Sequence, residues 1–129
     1  MLFEEPWTAD RVESFVNERR NATIATVSGA GQPHAAVVIA ASVGDEIHFT
    51  VNPDSVLARD VAGNDKIALS VCDTVHAVMS QGRAVRVGAA EDLDELVGEL
   101  SATTRRGTFT PPGWDGDIYR ADIRRLVAN

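Results

Sequence analysis

Most of this chain alternates apolar and polar residues with the period of two expected of strands that bury one face, broken by three stretches with the helical period. Six strands are predicted. ATIATV (22–27) is the first, and Gln32 to Ser42 the second. In the third, Ile47, Phe49 and Val51 alternate with His48, Thr50 and Asn52. Ile67, Leu69 and Val71 mark the fourth, and the fifth runs from Val75 to Val87. Asp117 to Val127 is the last, with Tyr119, Ala121 and Ile123 on one face. The segment AAVVIAA (35–41) is small and apolar at every position, which predicts a strand buried on both sides. Gly82 interrupts the fifth strand and predicts a bulge or a close backbone approach.

Three helices complete the pattern. Thr8 is a good N-cap for a helix from Ala9 to Arg20, with Val12, Phe15 and Val16 as its apolar stripe. After the third strand, Pro53 stops the ladder and Asp54 or Ser55 caps a short helix that exits at Gly63-Asn64. Leu57 and Val61, four apart, are the packing face of that helix. Leu93, Leu96, Val97 and Leu100 define a third helix over Glu91–Thr104, with acids in its first turn and Arg105-Arg106 at its end. Links of hairpin length mean antiparallel pairing. The prediction is a mainly β protein, an antiparallel barrel with peripheral helices, rather than a doubly wound sheet.

With 129 residues the chain reads as one domain over 1–129. A net charge of −7 argues against nucleic acid as the main partner, because phosphate contacts need a basic surface. The single Cys72 forms no intrachain disulfide and fits a reducing compartment. No apolar run approaches the roughly 20 residues that cross a bilayer, and the opening MLFEEPW carries acids where a signal peptide needs bases. The expected location is cytoplasmic, with no membrane partner.

Candidate chemistry concentrates at the turn after Val51. The capped helix there points its N-terminus out of a sheet edge, with Thr50, Asn52, Ser55 and Arg59 around it, and such a terminus seats a phosphate or carboxylate. The plainer reading is that Ser55 only caps the helix and Arg59 is a solvated surface cation. His34, His48 and His76 show no metal-ligand spacing, so no metal site is assigned. Cys72 reads as a buried, inert thiol. Trp114, in a Pro/Gly loop, is either a lid over a flat ligand or a plug in a subunit contact. Arg83 and Arg86 fall on opposite faces of one strand, so at most one faces a groove. No residue stands out as a catalytic acid.

The order of ATIATVSGAGQPHAAVV, DEIHFTVNPDSVLARDVAGNDKIALSV and QGRAVRVG, followed by an acidic helix, resembles the pyridoxamine 5'-phosphate oxidase-like split-barrel family. Gln32-Pro33-His34 is similar to the family's Gly-x-Pro-His, Asn64 to Leu69 to its Asn-Pro-Arg-Val-Ala-Leu, and Gly82-Arg83-Ala84 to its Gly-Arg-Ala. Pro112, Trp114 and Gly116 echo its C-terminal run. The resemblance implies a six-stranded antiparallel split β-barrel of the FMN-binding type. It also implies a homodimer holding FMN or a deazaflavin (coenzyme F-420) between subunits, and hydride transfer with a small-molecule substrate. Cofactor contacts would fall on Thr50, Val51, Asn52, Ser55 and Arg59, with Val37, Val38 and Ile39 lining the ring and Trp114 supplied by the partner. One departure stands out: Leu57 replaces a lysine of the family's Ser-x-Lys-x-Arg. Leucine cannot donate to a phosphate, which opens the alternative of a non-enzymatic split-barrel dimer that has lost flavin and binds another ligand, haem included.

Overall fold

The computed structural model describes residues 7–104 and 114–129. In chain order the elements are α1 (Ala9–Arg19), β1 (Asn21–Val27), β2 (Pro33–Val43), β3 (Glu46–Val51), α2 (Val56–Gly63), β4 (Lys66–Cys72), β5 (Ala77–Ala89), α3 (Asp94–Thr104) and β6 (Asp117–Ala128). The strands close into a barrel in the order β1-β2-β3-β6-β5-β4, every neighbouring pair antiparallel. The predicted mainly β barrel with three peripheral helices is therefore the fold of this chain.

Local signals act where the pattern placed them. The Thr8 hydroxyl accepts the Arg11 amide at 3.1 Å and starts α1. Gly44 and Asp45 both take positive φ, which makes the tight turn from β2 into β3. Because β3 and β4 are not neighbours in the barrel, the chain between them crosses the barrel end. It does so as α2, which drops Leu57 and Val61 into the core beside Ile24, Phe49 and Val71.

Gly82 marks a genuine irregularity. The β5–β6 register shifts between Gln81 and Gly82, and a Cβ there would overlap the Asp122 carbonyl. Only glycine lets the two backbones approach that closely.

Three expectations need correction. The third helix begins at Asp94, because Leu93 leaves helical geometry after a short 3-10 turn over Ala90–Asp92. His48, expected on the polar side of β3, is buried. A second apolar cluster of Ala41, Ala90, Leu100, Trp114 and Ile118 lies outside the barrel, and α3 covers the outer face of β2, where Ala41 is the ladder partner of His48. The apolar run of β2 is not buried on both sides either: Val37 is 71% exposed, since α3 reaches only the far end of the strand. Arg105, Arg106, Pro111 and Pro112 lie outside the described residues.

Candidate functional site

The ladder between β2 and β3 is short. It joins Ala40–Val43 to Glu46–Phe49 and then stops. Beyond that point, Pro33–Ile39 pair with β1, whereas Thr50 and Val51 pair with Ile118 and Asp117 of β6. The two strands thus part into a seam. Val37, Val38 and Ile39 lie along one lip, and Thr50 and Val51 along the other. Eleven or more positions apart in the sequence, these two sets are brought to one opening by the barrel.

Asn52, Ser55 and Arg59 follow directly after the second lip. The Ser55 hydroxyl donates to the Asn52 carbonyl at 2.6 Å and accepts the Ala58 amide at 3.2 Å. The Asn52 side-chain oxygen accepts the Asp54 amide at 2.9 Å. Both side chains therefore build the turn and cap α2. The Arg59 amide bonds the Ser55 carbonyl, which leaves the first-turn amides of Val56 and Leu57 without helical partners. Arg59 is exposed and makes no ion pair among the described residues. Leu57 turns the other way, into the core. At this corner one guanidinium and two amides are available to an anion.

Trp114 does not form a lid in the subunit. It is 6% exposed and packs against the cluster under α3. Its margin borders a hollow of about 510 Å³ shared with Pro53, Glu91, Asp115 and Asp117, whose carboxylates repel an anion. Arg86 is held there by two hydrogen bonds of 3.1 Å to Asp117, so Arg83 is the arginine of β5 that faces a groove.

A family model for pyridoxamine 5'-phosphate oxidase matches residues 8–114. The chain belongs to the pyridoxamine 5'-phosphate oxidase family. No curated protein matches it. Among solved structures it is similar to an Agrobacterium tumefaciens protein of unknown function, at 20% identity and TM-score 0.71; the match covers 96% of this chain but only 57% of that one. An F420 reductase shares 20% identity at TM-score 0.63 (91% and 94% of the two chains). A pyridoxamine 5'-phosphate oxidase-related, FMN-binding protein from Nostoc punctiforme shares 11% at TM-score 0.66 (98% and 86%). HutZ, the haem storage protein of Vibrio cholerae, shares 12% at TM-score 0.65 (92% and 92%). These likenesses establish the split-barrel fold within the pyridoxamine 5'-phosphate oxidase family.

The structure also assembles residues of this family member that sequence reasoning passed over. Asp60 of α2 is 6% exposed, and its carboxylate accepts the Thr26 hydroxyl at 2.8 Å. His34 Nδ1 lies 3.5 Å from the same carboxylate oxygen, without hydrogen-bond geometry. His34 also contributes to the lining of a groove of about 940 Å³ on the barrel's outer face. The signal was present in the pattern: Thr26 follows Ala22 and Ile24 on the inward face of β1, and Asp60 shares a helix face with Leu57. Polar residues at apolar positions need partners, and here they find each other.

The remaining candidates separate. His48 is buried, its Nε2 3.9 Å from Glu46, and desolvation holds its pKa below the ordinary histidine value. His76 packs edge-on against Trp7 and Phe15. Cys72 is exposed, not buried, because it ends β4 on the outward phase of the strand. Among the described residues no three His, Cys, Asp or Glu side chains converge as a metal site, and no helix is long and apolar enough to cross a membrane.

Proposed function

We propose that this protein is an oxidoreductase using FMN or a deazaflavin, working as a homodimer on a small organic substrate with the site at the subunit interface. The observation that carries the reading is the seam between β2 and β3. A flat ring laid along it would meet Val37, Val38 and Ile39 on one lip and Thr50 and Val51 on the other. An anionic tail would then reach the start of α2, where the Val56 and Leu57 amides and the Arg59 guanidinium would hold it. Asn52 and Ser55 serve that role indirectly, by fixing the turn that aims those amides. Trp114 supports the seam from behind through the cluster under α3. Such a cofactor supplies hydride chemistry, and the protein supplies position and electrostatics. A second subunit on the outer face of β2 would cover Val37 and turn the seam into an enclosed site. A cytoplasmic location completes the reading, in keeping with the single Cys72, which forms no intrachain disulfide.

The test is the visible spectrum of the purified protein, the mass of any co-purified cofactor, and titration with FMN and the deazaflavin separately. Saturable binding of either supports the reading, whereas a colourless protein that takes up neither overturns it.

One observation favours a second reading, a split barrel that binds a ligand other than flavin. Leu57 fills the core where the family places a cation, so the tail site has a single guanidinium. Haem is then the ligand to try, with His34 at the large groove as its candidate ligand. A Soret band on haem addition that disappears in His34→Ala would establish it, and no band would exclude it.

A further inference from the structure

Along the outer face of β1 and β2, Thr23, Ala25, Ala35 and Val37 are exposed, and Ala68 and Ser70 continue the same low surface onto β4. Small side chains let two such sheets pack about 10 Å apart. This is the face that the homodimer reading gives to the second subunit. Its two edges carry opposite charge.

On one edge, Lys66 of β4 and Arg83 of β5 are ladder partners, and like charges set opposite each other on a ladder are unfavourable. With Arg124 and Arg125 they make four of the chain's 12 lysines and arginines along one groove, in a protein of net charge −7. Arg83 lies 3.6 Å from Asp65, whereas Lys66 has no acidic partner among the described residues. The other edge is the seam. Past its second lip Asp54 is exposed, and Glu91 and Asp115 stand beside Asp117, the ladder partner of Val51. Arg59 is the cation at that corner, and Leu57 adds none.

Both edges lie at the same end of the barrel. The helix α2 leaves the end of β3 and delivers the chain to Lys66 at the start of β4. Its eight residues separate those two points by about 12 Å, so Lys66 stands across the face from the anion corner of its own subunit. A dimer of identical chains packs one patch on itself about a two-fold axis. An axis parallel to the strands exchanges the two edges and keeps the barrel end. The second copy's Lys66 and Arg83 then lie over the first copy's seam, at the height of the turn into α2. An axis across the strands keeps the edges, setting cations on the same side as cations, which like-charge repulsion disfavours.

Resting on the seam reading above, we propose that the seam site is completed by the partner subunit. Lys66 and Arg83 of the second copy supply the positive charge that Leu57 cannot, and with Arg59 they hold the anionic tail of the coenzyme. Each site is shared between two chains.

The experiment uses the intact protein, with FMN and the deazaflavin as probes that carry an anionic tail and riboflavin as the probe without one. Lys66→Gln with Arg83→Gln should weaken the tighter of the tailed probes at least about tenfold and leave riboflavin within about twofold. Arg59→Gln should do the same. Co-expressing the two variants then separates a shared site from a local one. A dimer with one chain of each kind keeps one corner with Arg59 facing a partner with Lys66 and Arg83, so it should regain one tight site per two chains. Sedimentation equilibrium and thermal melts report the assembly and folding of each variant, and Arg83→Gln alone carries the test if the double replacement does not fold.

Tight binding that survives replacement of Lys66 and Arg83 overturns the proposal and leaves the seam reading standing. Loss of binding with no recovery in the mixed dimers also overturns it, because the cations would then act within their own subunit. A monomeric wild type that binds a tailed probe tightly does so as well. A wild type that takes up neither tailed probe overturns the seam reading, and this proposal with it.

Discussion

The Thr26 hydroxyl donates to the buried carboxylate of Asp60 across 2.8 Å, tying the inside of β1 to the helix that plugs the barrel end. Cutting either side strands a buried polar group. Asp60→Ala and Thr26→Val should each cost about 2 kcal/mol in urea denaturation. The double variant should cost less than their sum by about 1 kcal/mol or more, since the two changes remove one shared interaction. Additive losses would mean that the pair does not hold α2 in place.

Gly82 sets the irregular step in the β5–β6 ladder. Gly82→Ala would set a methyl against the Asp122 carbonyl, a backbone atom that cannot rotate away. The expected loss is about 3 kcal/mol, with the β5–β6 register and the placement of Arg124 and Arg125 disturbed. Gly29→Ala is the control, because a Cβ there meets nothing within 4 Å and should shift stability by less than about 0.5 kcal/mol. Equal effects at the two sites would remove the bulge from the argument.

Restoring the family's cation at position 57 should fail. Leu57→Lys puts an ammonium where the core needs a hydrocarbon and should cost about 3 kcal/mol. Val56, next door, is half exposed at the start of α2. Val56→Lys should be neutral for folding and, if that terminus holds a flavin tail, should tighten FMN on the order of tenfold. An isothermal titration that shows no gain would place the tail elsewhere.

His48 makes stability sensitive to mild acid. Burial is the main cause that lowers its pKa; Arg120 acts the same way, while Glu46 and Glu99 oppose it. The folded state therefore binds fewer protons than the unfolded one once pH drops below the ordinary histidine value. Stability should decline from about pH 6.5 downward and level off below the folded pKa. His48→Leu, which also removes a buried nitrogen without a partner, should abolish that decline in urea midpoints measured between pH 7.5 and 5.

Asp73 acts with the usual carboxylate sign. The His76 and Val75 amides, and then Arg19, hold its pKa well below the ordinary range. Its contribution is complete above the unfolded carboxylate pKa and is lost as pH falls through the folded value. Asp73→Asn should melt below the wild type at neutral pH, and the gap should close in strong acid. A gap independent of pH would show that geometry, not charge, is what Asp73 supplies.

The strands and the capped helices were legible because each depends on neighbours in sequence: a period of two, a hydroxyl three residues before an amide. The bulge at Gly82 was legible for the same reason, as a lone glycine inside a long apolar alternation. Family membership followed from the order of those local motifs. What the pattern left undecided were relations between distant segments. Burial of His48 depends on where α3 lies, and that helix docks through Leu100 and Trp114, some 50 residues or more away. The seam exists because closure sends Thr50 to β6 and Val37 to β1, which no alternation records. The groove on the barrel's outer face gathers Lys66, Arg83, Arg124 and Arg125 from three strands separated by up to 59 positions, and charge leaves no period in a sequence. Local backbone preference selects the elements; closing the barrel chooses which side chains meet.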